Sequence, residues 1–448
     1  MVKAKFIQGS LIRHILVMTF ASSIGLIALF MVDLVDIYFL SLLENTSITA
    51  AVGFAGNIMM LTISVNIGMM ITMGALVSQS VGGRKLGRAK RAATNVYVFG
   101  CFMSLLMMTL LYVFLDPILL GIGAAGETKD LAKSYLLILL PTVPFFTIMM
   151  CANGALRGVG DAKRAMFVTL SGAAVNAVFD PIFIFGLDMG IEGAAWASLL
   201  GRLTMLAVAL YGAVYIHKLY SKFNIQSFKH YFGRIARIAG PTIVTNVATP
   251  IGAIYITYVI AGFGDSAVAG ASVLNRLAPV VFGVLFSLSG AVGPIFGQNL
   301  GARIFDRVNR TFYRALQFSL IYSVIIAGLL FVLQDFIVVA FKADPEAAEL
   351  IRFFCTWLAL PFVFQAAQFV ANAGFNNLGK PIYATWINMG KTFIGTIPFA
   401  YFGSQWFGAP GALAGPAAGG ALFGIIASIW IIFYVKGLEK KLAPKVAP

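Results

Sequence analysis

Charge is scarce in this sequence. Only 11% of its 448 residues are charged, whereas a soluble domain carries about 25%. Hydrophobic residues make up 60%, and the mean hydropathy is +0.90. These values exclude a water-soluble globule and a disordered chain. The apolar runs are long and continuous, which excludes a β-barrel. The class that remains is an all-α polytopic membrane protein.

Cysteine and histidine are also scarce, with three of each. All three cysteines lie in apolar stretches, which indicates free buried thiols rather than disulfides. The histidines share no metal-binding spacing, so no metal site is expected. Nothing in the sequence resembles a phosphate-binding glycine loop, so we do not expect the protein to hydrolyse ATP. We therefore expect no cofactor.

Twelve apolar segments follow one another, from 14–43 to 411–436. Basic residues outnumber acidic ones by 32 to 17. They concentrate at both termini and in the even-numbered connections, whereas acidic residues favour the odd ones. The positive-inside rule then predicts that both termini are cytoplasmic. It also accounts for the excess charge without a nucleic-acid partner. The first apolar run is too long for a signal-peptide core, so we expect an uncleaved first helix.

The chain repeats itself at an offset of 219 residues. The identical pairs in the clearest window are Gly74 and Gly293, Gln79 and Gln298, Gly82 and Gly301, Arg84 and Arg303, Arg88 and Arg307, and Arg91 and Arg310. Because each half has six helices, both halves start on the same membrane face, and the repeat is parallel. We expect an N-terminal lobe at 1–216, a cytoplasmic linker at 217–230 and a C-terminal lobe at 231–448. Duplicated bundles favour a transporter with alternating access over a merely structural membrane protein.

Four polar residues of the N-terminal half are predicted to share one layer. Asp36 and Asp180 both lie roughly 10 Å below the outer surface at 1.5 Å per residue. Asn176 lies one turn from Asp180 on the same face. Ser198 falls at a similar depth on the next helix. Charges at this depth are costly, so we interpret the four residues as a proton or Na⁺ site.

The alternative for the two acids is a fixed, hydrogen-bonded pair that only holds helices together. The repeat weakens that alternative, because the residues 219 positions beyond Asp36 and Asp180 are Tyr255 and Phe399. Other buried polar groups are weaker candidates for lining a substrate cavity. These weaker candidates are Asp33, Asn153, Arg202, Arg276, Gln365 and Lys391. For Arg202, a structural ion pair with an N-half acid is an equally good explanation.

Several motifs resemble those of the multidrug and toxic compound extrusion (MATE) transporters across nearly the whole chain. They are Val-Asp-Ile-Tyr-Phe at 35–39, Ala-Ala-Val-Gly at 50–53, Gln79 through Gly82 with its basic loop, the stretch from Asn153 to Asp161, Asn-Ala-Val-Phe-Asp-Pro at 176–181 and Gly-Ile-Glu-Gly-Ala-Ala at 190–195. The resemblance implies a V-shaped antiporter of 12 helices. It also implies that Asp36, Asn176, Asp180 and Ser198 match the cation site of the N-terminal lobe.

Some relatives carry acidic residues in the seventh and tenth helices. Here helix seven has none, and Gln365 stands roughly where the tenth-helix acid would be. The chain therefore looks more like the DinF branch, for which the resemblance implies H⁺ coupling. We expect a monomeric, multi-pass protein of a bacterial or archaeal cytoplasmic membrane, in contact with lipids. Its expected function is antiport of amphipathic, mostly cationic drugs against H⁺, with drug resistance as the outcome. The alternatives are Na⁺ coupling and a flippase for lipids or lipid-linked sugars.

Overall fold

The computed structural model describes residues 3–43 and 45–442. The side chains of Asp33, Ile37, Ser41, Thr46, Thr249 and Leu442 lie outside this description. Within the described residues, every regular element is helical. The α-helices are α1 (Leu11–Ser41), α2 (Thr46–Gly82), α3 (Leu86–Val113), α4 (Leu115–Gly121), α5 (Gly126–Leu139), α6 (Val143–Val159), α7 (Ala162–Pro181), α8 (Gly190–Leu210), α9 (Ile225–Ala261), α10 (Asp265–Gly301), α11 (Phe305–Ala340), α12 (Pro345–Phe353), α13 (Phe362–Asn377), α14 (Pro381–Gly390) and α15 (Ile397–Leu442).

Several helices continue through short non-α segments. A 3₁₀ turn at Leu140–Thr142 joins α5 to α6. The π-helical segments are Ile182–Gly186, Tyr211–Ile216, Phe354–Leu358 and Lys391–Thr396. Pro181 precedes the first of them, where proline removes the N–H that an α-helix needs.

The helices are long and apolar enough for a multi-pass membrane protein. Ten stretches among the described residues have the length and composition of a membrane span. The pair Pro345–Leu358 and Phe362–Asn377, bent by 61°, makes an eleventh. The last stretch, Pro381–Lys441, has 61 residues and is interrupted at Gly408, whose φ of 64° is not helical. Dividing it there gives the twelve expected spans.

The backbone reproduces the repeat seen in the sequence. Arg84 and Arg303 are 219 residues apart and have left-handed φ angles of 55° and 59°. Gly160 and Gly379 are separated by the same offset, with φ angles of 84° and 88°. A left-handed turn disfavours residues with a Cβ. Its recurrence at an arginine therefore indicates a turn geometry common to both halves.

The described chain clusters into two compact units whose boundaries differ from those expected for the lobes. The first unit contains Ile24–Ile243, and the second contains Lys5–Ser23 together with the chain from Val244 onward. The first half of α1 thus belongs to the second unit, and the first half of α9 belongs to the first. Hydropathy locates a long helix but does not encode which bundle each half of it joins.

Gln79 and Gln298, which correspond in the repeat, contact the chain segments that precede or begin the divided helices α1 and α9. In the second unit, the Phe6 N–H donates to Gln298 Oε1 at 3.0 Å, and Arg307 Nη2 donates to the Phe6 carbonyl at 2.9 Å. In the first unit, Arg234 Nη2 donates to Gln79 Oε1 at 2.8 Å. Each glutamine therefore holds the segment that begins the other half of the sequence.

Close packing of α2 on α6 shapes the first unit. A methyl group placed on Gly154 would lie 2.3 Å from the Met70 carbonyl oxygen, and one on Gly158 would lie 3.2 Å from the Gly74 carbonyl oxygen. Only glycine allows two helix backbones to approach this closely. The resulting interface continues into a core that contains Met69, Met73 and Leu156.

Candidate cation-binding site

A polar cluster lies in the first unit where α1, α5, α7 and α8 contribute side chains. Asp180 and Asn176, both on α7, are buried, with 0% and 5% of their surfaces exposed. Asp36 on α1 and Ser198 on α8 are partly buried.

Asn176 links the two carboxylates. With its amide nitrogen facing them, Nδ2 donates to Asp36 Oδ1 at 2.9 Å and to Asp180 Oδ2 at 3.1 Å, while Oδ1 accepts from the Ser198 N–H at 3.3 Å. The hydrogen-bonding network favours this amide orientation, because the opposite one would place the amide oxygen against carboxylate oxygens. One side chain therefore joins α1, α7 and α8.

Both carboxyl groups therefore face the same amide nitrogen, and they interact electrostatically with each other. Two ionised carboxylates have only acceptor oxygens, so a direct hydrogen bond between them can form only when one carries a proton. Asp180 Oδ1 has no hydrogen-bond partner among the described residues. A buried acceptor without a donor is costly in protein interiors. The pair thus has the arrangement of a site that holds a proton or a small cation.

Tyr135 on α5 also belongs to this cluster. Its hydroxyl interacts with Ser198 and with the carboxyl groups of Asp36 and Asp180. A search for charges cannot find it, since a phenol is neutral. The sequence could have indicated Tyr135 only through its depth, because it lies nine residues into a membrane span that begins at Gly126.

Arg202 lies one turn beyond Ser198 on α8. Its Nη1 donates to the Thr142 hydroxyl at 2.7 Å, and the guanidinium carbon lies 5.0 Å from the centroid of the Phe146 ring. These contacts tie α8 to the junction of α5 and α6. They place a positive charge within electrostatic range of Tyr135.

Asn153 lies apart from the cluster. It is 1% exposed, donates from Nδ2 to the Ala165 carbonyl at 3.1 Å and accepts from Arg157 Nε at 2.9 Å. The structure thus gives it contacts that join the end of α6 to the start of α7. Asp33 lies on α1, but its side chain is outside the described part.

The other cavity candidates belong to the second unit. Arg276 on α10 is exposed. Lys391 and Gln365 both lie against Gly420 of α15, where an added methyl group would be 4.0 Å from Lys391 Cε and 3.9 Å from Gln365 Oε1. The structure therefore brings Gln365 and Lys391 together.

A second ionic cluster lies in the first unit, at the turn between α6 and α7. Asp161 caps α7 by accepting from the Arg164 N–H at 3.3 Å, pairs with the Arg164 guanidinium and contacts His217 Nε2 at 2.8 Å. Burial opposes the ionisation of Asp161, but the bonds from His217 and Arg164 outweigh it and hold the pKa of that carboxyl well below its ordinary value. This cluster stabilises the turn between α6 and α7.

The sequence profile of the MatE family matches residues 21–182 and 241–402, one segment in each repeat. The chain belongs to the MatE family. Members of this family are transporters rather than enzymes, which establishes the class expected from the repeat and the motifs.

Proteins that this chain resembles are named for different substrates. The chain is 26% identical to the FAD transporter of Shewanella oneidensis over 425 residues, or 92% of each chain. It is 23% identical to the multidrug export protein MepA of Staphylococcus aureus over 283 residues, or 62% of each. The matches therefore support a multi-pass membrane transporter without selecting its substrate.

Solved MATE structures share the fold. The MATE transporter VcmN of Vibrio cholerae superimposes with a TM-score of 0.88 at 23% identity, covering 95% of this chain and 97% of that one. A transporter of the wider superfamily from Pyrococcus furiosus gives a TM-score of 0.90 at 20% identity, covering 98% and 99%. At these identities the likeness concerns the fold, and the substrate and coupling ion need separate arguments.

Proposed function

We propose that this protein is a proton-coupled antiporter that exports amphipathic compounds by alternating access. Asp36 and Asp180 take up the coupling proton, Asn176 aligns them, and Ser198 and Tyr135 complete the cluster. The observation that carries the proposal is the pair of carboxyl groups bridged by one amide nitrogen, since Asn176 Nδ2 donates to Asp36 at 2.9 Å and to Asp180 at 3.1 Å.

The coupling follows from the number of protons that the pair holds. With one proton, the carboxyl groups bond to each other and draw α1 towards α7. With none, two negative charges repel unless a cation or Arg202 compensates them. The two states therefore favour different positions of α1 relative to α7 and α8. A ligand shifts such an equilibrium only through its different affinities for the two states.

The orientation of the chain supports export from a cytoplasmic membrane. The basic residues at 84–91, 218–237 and 303–314 lie on connections of the same parity as the termini. By the positive-inside rule, we place both termini in the cytoplasm of a bacterial or archaeal cell. In that orientation, the carboxyl pair lies nearer the outer surface, where protons enter.

The test separates the two coupling ions. Purified protein in proteoliposomes is given a lipophilic cationic dye, ethidium, under a proton gradient without Na⁺ or under a Na⁺ gradient without a pH difference. We expect transport under the proton gradient alone. Transport that requires Na⁺ and ignores the pH difference would assign the same cluster to Na⁺. Protein-free vesicles and the Asp36→Asn variant serve as controls.

A second candidate function is export of a flavin dinucleotide. It is favoured by the FAD transporter relative, whose alignment covers 92% of each chain, and by the cationic side chains of Arg276 and Lys391 in the second unit. Proteoliposomes loaded with FAD, assayed under the same two gradients, would detect it directly through flavin fluorescence outside the vesicles.

A further inference from the structure

Lys391 is a deeply placed cation in the second unit. It lies ten residues beyond Pro381, the first residue of α14, or about 15 Å along a helix. Among the described residues, it has no acidic partner. The acidic residues of this unit lie in connections or near helix ends, and Asp335 already pairs with Arg352 at 2.8 Å. An unpaired ammonium at this depth is costly and marks a functional position.

Three amide side chains lie on the helix turns next to Lys391, those of Gln365 and Gln368 on α13 and of Asn388 on α14. Gln365 on α13 and Lys391 lie against the same residue of α15, Gly420. One turn along α13, Gln368 is 0% exposed, and its Nε2 donates to Asn388 Oδ1 at 3.2 Å. Gln368 Oε1 has no hydrogen-bond partner in the described chain. The orphan oxygen is fixed in place, because the Asn388 amide is itself anchored to the Ala384 carbonyl at 2.7 Å.

The backbone also departs from α-helical geometry here. Lys391 opens the π-helical segment Lys391–Thr396, and single π turns within helices occur frequently at functional sites. Close packing against α15 fixes this segment, since a methyl group on Gly419 would lie 2.8 Å from the Thr396 nitrogen. The ammonium is therefore carried by a rigid element and not by a loop.

We propose that Lys391, with Gln365 and Gln368, binds the acidic group of an amphipathic substrate, a carboxylate or a phosphate. The ammonium supplies the missing ion pair, and the Gln365 amide donates to a second oxygen. Gln368 Oε1 accepts from an N–H or O–H beside the acidic group. This inference rests on the proposed export function and extends it, because it makes acidic and zwitterionic amphiphiles preferred substrates over purely cationic ones.

The test compares two dyes that differ in one charge. Rhodamine B carries a free carboxylate, and its ethyl ester does not. Binding of each to purified protein in neutral detergent is measured by fluorescence polarisation. We expect wild type to bind rhodamine B at least about tenfold more tightly than the ester. Lys391→Met removes this preference and leaves the affinity for the ester unchanged, whereas Lys391→Arg retains it.

Lys380→Met is the matched control, because Lys380 precedes the same helix at its cytoplasmic end. It should bind both dyes as wild type does. The proposal is overturned if wild type shows no preference for rhodamine B, or if Lys391→Met weakens both dyes equally. Asp36→Asn keeps the preference while losing proton-driven transport, so failure of the coupling proposal is recognised separately.

A lipid headgroup could supply the same acidic chemistry. Binding is therefore repeated in nanodiscs of phosphatidylcholine with and without phosphatidylglycerol. For a substrate site, phosphatidylglycerol leaves the preference for rhodamine B unchanged. If phosphatidylglycerol abolishes that preference in wild type, the proposed substrate site is overturned in favour of a lipid site.

Discussion

The two repeats share a fold, but only the first carries the carboxyl cluster. At the offset of 219 residues, the counterparts of Asp36, Tyr135, Asn176, Asp180 and Ser198 are Tyr255, Phe354, Gly395, Phe399 and Ala417. The second repeat thus forms its helices without these polar groups. It instead holds Arg276 and Lys391, for which no acidic partner is seen in the described chain. The architecture does not require the acids, so the difference between repeats points to chemistry and not to folding.

The largest expected effect is that of substituting Asp36, which belongs to the cluster that only the first repeat carries. Asp36→Asn should reduce proton-driven dye efflux to the background of protein-free vesicles, because asparagine is nearly isosteric but carries no titrating proton. Expression and melting temperature should stay near wild type. The matched control is Tyr255→Phe at the corresponding position of the second repeat, which should transport normally. Wild-type efflux by Asp36→Asn at normal protein levels would refute the assignment.

A second comparison concerns helix packing, where Gly154 of α6 corresponds to Ala373 of α13. Gly154→Ala should destabilise the first unit by about 3 kcal/mol, because its methyl group would meet a backbone carbonyl that cannot move aside. Ala373→Gly should cost only about 1 kcal/mol through helix propensity. Thermal unfolding in detergent measures both changes. Equal losses would show that the two interfaces are equally tight.

The third comparison is between the residues that precede α7 and α14. Asp161 caps α7 and binds Arg164 and His217, whereas its counterpart Lys380 makes no side-chain cap. Asp161→Asn should lower stability by about 2 kcal/mol, since several bonds to a charged group are lost. Lys380→Gln should be close to neutral. Similar melting temperatures for Asp161→Asn and wild type would contradict the role of the cluster.

The same residue predicts a pH dependence. The pKa of Asp161 is lower in the folded state than in the unfolded chain, so its contribution is fully present above the unfolded value of about 4 and is lost as pH falls towards the folded value. The stability gap between wild type and Asp161→Asn should therefore be constant above about pH 5 and shrink below about pH 4. A stability difference that grows on acidification would contradict this prediction.

The smallest effect concerns the rim of the carboxyl cluster. Tyr135→Phe removes the hydroxyl that interacts with Ser198 and should slow proton-driven efflux about fivefold, the equivalent of about 1 kcal/mol. Ser198→Ala should have a similar effect. The double variant should transport no more slowly than either single variant, because all three lose the same interaction between Tyr135 and Ser198. Additive losses would show that the two residues act separately.

The sequence predicted much of this architecture for identifiable reasons. Long apolar runs, the repeated Gly and Arg positions and the depth of Asp36 and Asp180 depend on composition and spacing alone. They led to the helical fold, the duplication and the residues that the structure places within hydrogen-bonding distance. The role of these residues in coupling stays a prediction.

Other features depend on tertiary contacts that spacing does not contain. Tyr135 carries no charge and therefore does not stand out among apolar neighbours. Asn153 shares a motif with the family, yet its bonds to Ala165 and Arg157 show a packing contact. The two halves of α1, and likewise those of α9, do not differ in hydropathy in a way that predicts which unit each half joins.

The division of α1 and α9 has a consequence for how the protein is made. During synthesis the first helix emerges with Lys5–Ser23 already complete, yet the unit that contains this segment is otherwise made only from Val244 onward. The first unit likewise stays unfinished until Ile243 has left the ribosome. Cutting the gene at the linker would therefore yield two halves that each lack a segment of their own bundle. Assembly of either unit has to wait until more than half of the chain has been translated.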